Sequence, residues 1–538
     1  MSRDYRRMSH SQTHVQRMVL IDIRNMLRSM GKDINTYPLP KIIDGYDDAG
    51  GAVREEYEER IIEPTAEDIA LKDSLNEEQK AAYDKILATV DTDQGGVFFV
   101  DGPGGTGKTY LYKALLATVR SRDRIAVATA TSGVAASIMP GGRTAHSRFK
   151  IPLVIDDGAL HKTKWDCKIA TKASLIIWDE ASMTKRQAVE ALDNGLRDIM
   201  DRPRLPFGGK TIVFGGDFGQ VLPVIRKGTR ARIVAASLRK SYIWESMTHL
   251  KLVRNMRARV IHGSREYPLR IGDEETNSSG EIHLPDEVCV PYTKSDTDLD
   301  GLIDCIFPRL DENMSNTSYI TSRAILSTRN DWVDMINMRM IGRFQGDRMV
   351  YHSFDSAVDD PHNYYPPEFL NTLTPNGLPP HILKLKIGCP IILLRNIDPA
   401  NGLCNGTRLV VRGFRRNSID ARNRARTTCG EEDFPTPYTL VSFDDEMFPF
   451  QFKRKRFPVR LSFAMTVNKA RGQTIPNVGV YLPEPVFSHG RLYVAISRAT
   501  ARSNIKILVI PAVDGDDKKN KTKNKKKKKQ QEENNGSI

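Results

Sequence analysis

The stretch Val97-Phe-Phe-Val-Asp-Gly-Pro-Gly-Gly-Thr-Gly-Lys-Thr109 decides the fold of this chain. Its first four residues are apolar and β-branched or aromatic, which predicts a short buried strand. The rest matches the pattern G-x-x-x-x-G-K-[ST], in which glycines let backbone N–H groups turn inward around phosphate groups at the start of a helix. With a helix predicted from about Lys108, the stretch indicates a strand, a phosphate-binding loop and a helix in succession.

Each residue type in the loop has a chemical reason to be there. Lys108 would bring a positive charge to the β- and γ-phosphates, and the Thr109 hydroxyl would bind Mg²⁺. ATP and Mg²⁺ are therefore the expected cofactors. The residues predicted to bind the nucleotide in this loop are Gly102, Gly104, Gly105, Thr106, Gly107, Lys108 and Thr109.

Further strands are expected on both sides of this loop, separated by helical stretches. Continuous apolar, β-branched runs between helices are typical of parallel strands that are buried on both faces. The pattern predicts an α/β protein of the doubly wound type. The runs are 124–129, 175–178 and 211–214 in the first half and 323–327, 478–482 and 505–509 in the second.

The order of these patterns suggests several domains in the 538 residues. Residues 44–59 are acidic and polar and are interpreted as a linker, and Ser74 with Glu77 is predicted to cap the next helix. Residues from about 345 to 460 are rich in proline and glycine and contain short alternating strands, which indicates an inserted β-domain. The predicted divisions are 1–70 (helical N-terminal region and linker), 71–256 (first α/β domain), 257–344 and 461–512 (second α/β domain), 345–460 (small, β-barrel-like insertion) and 513–538 (disordered lysine-rich tail).

The net charge of +14 indicates a polyanionic partner, with nucleic acid first. Nine lysines between 518 and 529 account for much of it, and without them the chain would carry +5. This tail is either simply a solvated charged segment or a nuclear-import signal or nucleic-acid tether. No apolar run approaches the ~20 residues that a membrane helix needs, so no membrane partner is expected.

Two acids follow the strand Leu175-Ile-Ile-Trp178. Asp179 is predicted to bind the metal, and Glu180 to orient and deprotonate the attacking water. Gln220 follows a third strand in Gly215-Gly-Asp-Phe-Gly-Gln220, where an amide can sense the γ-phosphate. An ordinary glycine turn with a surface glutamine is the alternative there.

Two arginines are candidates for stabilising the negative charge that builds up on the γ-phosphate, because a guanidinium from a neighbouring domain suits that task. They are Arg257, in Leu252-Val-Arg-Asn-Met-Arg257, and Arg498, in Tyr493-Val-Ala-Ile-Ser-Arg498. In a chain with this many basic residues, a lone arginine is usually a surface charge, and only the wider motif pattern favours these two.

Several further segments complete an ordered set with the loop and the acids: 75–79 (LNEEQ), 128–136 (ATATSGVAA), 142–147 (GRTAHS), 216–223 (GDFGQVLP), 402–408 (GLCNGTR) and 466–474 (TVNKARGQT). Together they resemble the Pif-type (petite integration frequency) DNA helicases of superfamily one. The helicase part of plant Helitron transposons looks most similar. The resemblance covers roughly residues 70–512.

The resemblance implies two RecA-like P-loop NTPase domains with ATP in the cleft between them and single-stranded DNA across their top. It implies a monomer, with oligomers on DNA, that steps 5′ to 3′ along single-stranded DNA and unwinds duplex DNA, with single-stranded and forked DNA as partners. It also implies roles in repair, recombination and telomere maintenance. A nuclear location is expected, with an organelle as the alternative. Gln79 would read the adenine. The residues expected near the DNA are Thr131, Ser132, His146, Asn468, Lys469 and Arg471, although His146 also fits a loop residue satisfied by its neighbours.

The chain departs from the family pattern at one motif. Where the family usually has Lys-Ser-Gln-Gly, this sequence has Lys469-Ala-Arg-Gly472. The change puts the coupling of ATP hydrolysis to movement in question. A DNA-stimulated ATPase or translocase that does not unwind is therefore the main alternative, and a DNA-binding relic without turnover is a second. The sequence contains no replication-initiator nuclease motif, so we expect the motor part alone, either a transposon fragment or a domesticated copy.

Overall fold

A computed structural model describes most of the chain from residue 55 to residue 511. The described part is 55–511 without 153–167, 226–227, 257–283, 358–359, 361–363, 374–378, 399–401, 416–417, 424–437, 442–449 and 485–489, together with 20, 24 and 37. Arg257, the predicted lysine-rich tail and most of the predicted N-terminal helical region lie outside the described residues.

The first half folds around a six-stranded parallel sheet in the order β3-β2-β4-β5-β1-β6. Its central strands are buried along nearly their whole length, since helices cover both faces. The strands are β1 (Gly96–Asp101), β2 (Ala126–Ala130), β3 (Arg143–Thr144), β4 (Leu175–Asp179), β5 (Thr211–Gly216) and β6 (Thr248–Lys251). Because all six run in the same direction, the loops that follow β1, β2, β4 and β5 meet at one edge of the sheet.

The helices of this half are α1 (including residues 55–60), α2 (Ala66–Ala70), α3 (Glu77–Thr92), α4 (Lys108–Arg120), α5 (Gly133–Ser137), α6 (Ala145–Arg148), α7 (Lys168–Lys172), α8 (Arg186–Ile199) and α9 (Arg230–Ala235). The predicted cap at Ser74 is wrong. The cap of helix α3 is Asn76, two residues later, where the Asn76 side chain accepts from the Gln79 N–H and the Gln79 side chain accepts from the Asn76 N–H. This reciprocal pair satisfies two N–H groups at the helix start, which Ser74 is placed too early to do.

The interpretation of residues 44–59 as a linker is wrong for their last five residues. Residues 55–60 form helix α1, and Glu59 is buried against Arg120 of α4 and Arg148 of α6. Burial raises the pKa of Glu59 even though both arginines oppose that shift. The acidic composition of this segment therefore reflects a docking surface that complements a basic patch on the first domain.

The second half contains a smaller parallel sheet in the order β17-β7-β18-β19. Its strands are β7 (Arg323–Ser327), β17 (Ala464–Thr466), β18 (Asn477–Leu482) and β19 (Ile505–Val509). The helices here are α10 (Asp298–Ile306), α11 (Leu310–Asn313), α12 (Thr317–Thr321), α13 (Asn330–Arg343) and, at the end, α15 (Arg491–Ile496). The sequence-based strands of both sheets agree with the observed ones to within two residues, and the α/β prediction is confirmed.

An antiparallel insertion separates β7 from β17 along the chain. Its described strands form a two-stranded sheet, a four-stranded sheet and a three-stranded sheet. They are β8 (Met349–His352), β9 (Phe354–Ala357), β10 (Ile382–Leu385), β11 (Pro390–Leu393), β12 (Arg408–Phe414), β13 (Ile419–Asn423), β14 (Tyr438–Val441), β15 (Phe452–Arg456) and β16 (Val459–Leu461), with helix α14 (Pro367–Thr372). Apolar residues of the four-stranded sheet pack in one cluster with α10 and α13, so the insertion shares a core with the second domain. None of the helices that the structure describes is long and apolar enough to span a bilayer.

Candidate active site

The loop from Gly102 to Thr109 lies at the carboxyl edge of the first sheet, between β1 and α4. Gly107 is the residue before α4 and has φ 82°, a conformation that a side chain would strain. The Gln79 amide nitrogen donates to the Thr106 carbonyl at 3.0 Å from below the loop. The loop therefore presents the N-terminus of a 13-residue helix, where backbone N–H groups and the helix dipole favour phosphate.

Lys108 is held inside this loop. Its ammonium donates to the Gly102 carbonyl, and the Pro103 carbonyl lies 3.5 Å away. Lys108 also lowers the pKa of Asp179, although burial outweighs it and the net shift is upward. The positive charge thus lies between the loop and the acids at the end of β4.

Glu180 has the features of a general base. Its backbone is left-handed (φ 57°, ψ 30°), a conformation that costs free energy for a non-glycine residue. Its Oε2 atom is buried and has no hydrogen-bond partner in the described structure. Burial, with Asp179 adding to it, raises the pKa of Glu180 to about 7. A carboxylate with this pKa is suited to accept a proton from water.

Thr131, at the end of β2, fixes the turn that carries Glu180. Its hydroxyl donates to the Glu180 carbonyl at 2.8 Å, accepts from Trp178 Nε1 at 3.1 Å and lies 2.6 Å from the Thr184 hydroxyl. One donor and two acceptor positions are all that a hydroxyl has, so this side chain is fully used inside the protein.

Asp217 joins the two domains at the cleft. Its Oδ2 atom accepts from Gln220 Nε2 at 3.1 Å and from the Tyr493 hydroxyl at 2.9 Å. The same tyrosine oxygen accepts from the Gly104 N–H at 3.2 Å. Gln220 is buried, and its Oε1 atom has no partner among the described residues. Asp217 and Tyr493 are not among the residues predicted from the sequence, although Asp217 stands in the segment 216–223 and Tyr493 begins the segment that ends in Arg498.

Arg498 reaches the phosphate loop from the second domain. It is buried at the end of α15, donates to the Val494 carbonyl at 3.1 Å, and its Nη2 lies 3.7 Å from where a Cβ on Gly104 would stand. Burial lowers the pKa of Arg498, and Glu180 is the first of the groups that oppose this shift. The structure thus brings Lys108, Asp179, Glu180, Gln220 and Arg498 to one cleft.

The donors present fit Mg²⁺. Asp179 supplies a buried carboxylate whose Oδ1 accepts from the Glu180 N–H at 2.9 Å, and Thr109 supplies a hydroxyl in the first turn of α4. Among the described residues there is no cluster of three or more histidine, cysteine or acidic side chains that would hold a metal alone. Mg²⁺ commonly takes one or two protein oxygens and completes its shell with water and substrate phosphates.

The other predicted residues differ in their burial and in their hydrogen-bond partners. Gln79 is buried, with both ends of its amide bonded to protein, so it supports the loop from below. Ser132 caps α5 by accepting from the Ala135 N–H. Asn468 is exposed, while the Lys469 ammonium donates to Asn405 at 2.6 Å.

His146 and the altered motif complete the predicted set. His146 is partly buried, and burial together with Lys185 lowers its pKa. Ala470 is fully buried in the core of the second domain, so no hydroxyl at this position would face the DNA. Arg471 is also mostly buried.

Two parallel sheets with a phosphate loop on the first and an arginine from the second define the class, a P-loop NTPase with two RecA-like domains. Residues 74–267 match the family model described as PIF1-like helicase, and residues 368–414 match the model for the DNA helicase Pif1 2B domain. Over these two segments the chain is similar to the PIF1-like helicases.

Whole-protein comparisons also find similarity to PIF1 helicases. The chain is 27% identical to the ATP-dependent DNA helicase PIF1 of Rattus norvegicus over 455 residues and 26% identical to that of Homo sapiens over 457 residues. In both cases the match covers 81% of this chain but only 61% of the relative. Crystal structures of Pif1 from Candida albicans and of Bacteroides Pif1 with ADP-AlF3 and ssDNA share the fold, with TM-scores of 0.56 and 0.57, 22% identity and coverage of 81% of this chain and 95% of theirs.

Proposed function

We propose that this chain is an ATP-dependent DNA helicase that moves 5′ to 3′ along single-stranded DNA and unwinds duplex DNA. The observation that carries the proposal is the bipartite cleft, in which Tyr493 and Arg498 of the second domain reach the phosphate loop of the first. A site divided between two domains changes when the domains move, so hydrolysis and movement are coupled by construction.

The residues of the cleft have distinct parts in hydrolysis. The loop N–H groups and Lys108 bind the phosphates, and Glu180 accepts the proton of the attacking water. Arg498 stabilises the charge that develops on the transferred phosphoryl group. Mg²⁺, held by Thr109 and Asp179, supplies positive charge to the phosphate oxygens when bound. Gln220 and Arg257 are proposed to sense the γ-phosphate. Gln79 is proposed to hold the phosphate loop and thereby to shape the adenine site.

Asn468, Lys469 and His146 are the residues that we propose for the DNA strand. Asn468 is exposed beside Lys469, on the turn that follows β17. Contacts to the DNA backbone without base readout would make binding tolerant of sequence and sensitive to salt.

An unwinding assay tests the proposal. Duplexes with a 5′ tail, with a 3′ tail and with both would be mixed with the protein, ATP and Mg²⁺, and the Lys108→Ala variant would serve as control. We expect strand separation on the 5′-tailed and forked substrates only. Unwinding from the 3′ tail alone would contradict the direction, and loss of hydrolysis in every DNA condition would contradict the motor.

The second candidate is a translocase that hydrolyses ATP on DNA without unwinding. The departure at Ala470 and Arg471 favours it. Displacement of streptavidin from a biotinylated strand end, measured beside unwinding, separates the two. Displacement without strand separation would support the translocase.

Biological setting is proposed on family resemblance. We propose roles in repair, recombination and telomere maintenance. We also propose a nuclear location through the lysines of 518–529 and descent from a plant Helitron. A structure of forked DNA with two coordinating Pif1 helicases supports a monomer that forms oligomers on DNA. Light scattering with and without forked DNA, and imaging of the chain with and without residues 512–538, are the tests.

A further inference from the structure

The turn of residues 468–472, which follows β17, lies at the interface between the two domains. A Cβ on Gly472 would stand 3.5 Å from the backbone nitrogen of Ala135 in α5 of the first domain. Next to this contact, a Cβ on Gly133 would meet the Cβ of Cys404 at 2.7 Å. Because α5 follows β2, and β2 is paired with the strand that ends in Asp179, the turn faces the edge of the sheet that carries the acids.

Arg471 points from this turn into the interior. Its side chain is only 8% exposed, and its Nη2 atom donates to the Asn468 side chain at 2.9 Å. Its Nε atom is buried and has no partner among the described residues. Burial lowers the pKa of Arg471 to about 10, Glu180 opposes the shift, and Arg498 and Arg491 add to it. The neighbouring Lys469, in contrast, donates to Asn405 in the insertion.

Two arginines and one acid act on Arg471. Arg471, Arg491 and Arg498 are electrostatic neighbours, and Glu180 is the acid that acts on Arg471. The Nε atoms of Arg471 and Arg491 are both buried without a partner in the described structure. Buried guanidinium groups with unused N–H donors need an anion, because the cost of burying the charge is otherwise uncompensated.

We infer that Arg471 binds the terminal phosphate of the nucleotide, as a second guanidinium beside Arg498, and that it is not part of the DNA track. The inference rests on the proposed function, which brings a triphosphate to this cleft. It replaces the expectation that Arg471 contacts DNA. The family usually has glutamine at this position, so Arg471 adds a positive charge there.

The consequence is preference for ATP over ADP. A guanidinium that contacts only the terminal phosphate contributes to binding of the triphosphate and nothing to the diphosphate. It also favours the closed arrangement of the domains only while that phosphate is present, since the turn of 468–472 belongs to the second domain and α5 to the first.

Nucleotide and DNA affinities of matched variants test the inference. Arg471→Gln restores the family residue, Arg471→Lys keeps a charge, Lys469→Gln removes the neighbouring cation, and Arg204→Gln changes an exposed arginine of the first domain. Each would be titrated with a non-hydrolysable ATP analogue, with ADP and with single-stranded DNA. Thermal unfolding of each variant would verify that it is folded.

We expect Arg471→Gln to weaken binding of the ATP analogue about tenfold or more. The affinities for ADP and for DNA should stay within about twofold of the wild type. Arg471→Lys should fall between the wild type and Arg471→Gln, because it keeps the charge but loses the fork of donors. Lys469→Gln should weaken only DNA binding, and Arg204→Gln should leave all three affinities unchanged.

Two results would overturn the inference. A salt-dependent loss of DNA affinity in Arg471→Gln, with the ATP analogue unaffected, would put this arginine on the DNA. If Arg471→Gln weakened binding of the ATP analogue and of ADP equally, or changed neither affinity, the terminal phosphate would not be the partner of Arg471. Because these titrations need no turnover, they stay separate from the proposed function, which fails if the wild type does not hydrolyse ATP on DNA.

Discussion

The Tyr493 hydroxyl of the second domain donates to Asp217 of the first, with 2.9 Å between the oxygens, and accepts from the Gly104 N–H. One side chain therefore connects the end of β5, the phosphate loop and α15. A displacement of the second domain would break both bonds together. This gives the cleft a polar contact that responds to the position of the domains.

Replacing Tyr493 by phenylalanine tests this contact. The ring would keep its packing, but the Gly104 N–H would lose the tyrosine oxygen and the Asp217 carboxylate would keep the bonds from the Gln220 side chain and the Gly219 N–H. We expect kcat/KM for DNA-stimulated ATP hydrolysis to fall about tenfold, since hydrogen bonds to a charged group contribute about 1.5–3 kcal/mol. Tyr319→Phe, which removes a bond to the Pro308 carbonyl far from the loop, is the control and should leave turnover intact. Equal rates of ATP hydrolysis in the two variants would show that the Tyr493 hydroxyl has no part in the site.

Lys108→Ala should abolish DNA-stimulated hydrolysis and leave binding of single-stranded DNA largely intact. The variant removes the ammonium that lies between the loop and Asp179, and no other lysine of α4 is placed to replace it. Lys113→Ala, further along the same helix, is the matched control. The measurement is phosphate release with and without DNA, beside DNA binding by fluorescence anisotropy. Unchanged turnover in Lys108→Ala would contradict the motor assignment.

Thr131→Val separates a role in hydrolysis from the role in DNA binding that the sequence predicted. Valine has nearly the same shape but cannot donate to the Glu180 carbonyl, so the strained turn at Glu180 would loosen. We expect kcat to fall about tenfold, with DNA affinity within about twofold of the wild type. Ser137→Ala, which removes an exposed hydroxyl from α5, is the comparison. A loss of DNA affinity in Thr131→Val would support the predicted DNA contact of Thr131.

Glu59→Gln should destabilise the first domain strongly. Removing the carboxylate that Arg148 and Arg120 share in a buried ion pair costs about 3–5 kcal/mol. Glu56→Gln breaks more exposed pairs to Arg60 and Lys172 and should cost about 0–1 kcal/mol. Denaturant unfolding of the two variants provides the comparison. Similar losses in both would mean that α1 is not part of the domain core.

The nucleotide half of the site was largely readable from the sequence, since its residues are consecutive. The loop of 102–109 and the pair at 179 and 180 each sit directly after a buried strand, and strand ends in a parallel sheet meet at one edge. The sequence predicts DNA contacts for Thr131 and Arg471, and it does not contain the contacts that these two side chains make inside the protein. The Thr131 hydroxyl bonds to residues about 50 positions away, and Arg471 is an electrostatic neighbour of Glu180 in the other domain. No local pattern contains either relationship.

The sequence by itself determined the fold class and the phosphate loop, because hydrophobic periodicity and glycine positions act over a few neighbouring residues. It also determined which acids stand after β4. Only the tertiary structure decided which side chains share the cleft. Burial raises the pKa of Glu180 to about 7, Tyr493 joins Asp217 to Gly104, and Arg471 turns inward beside Arg498. These relationships depend on desolvation and on distances between residues hundreds of positions apart, and both arise only when the two domains pack together.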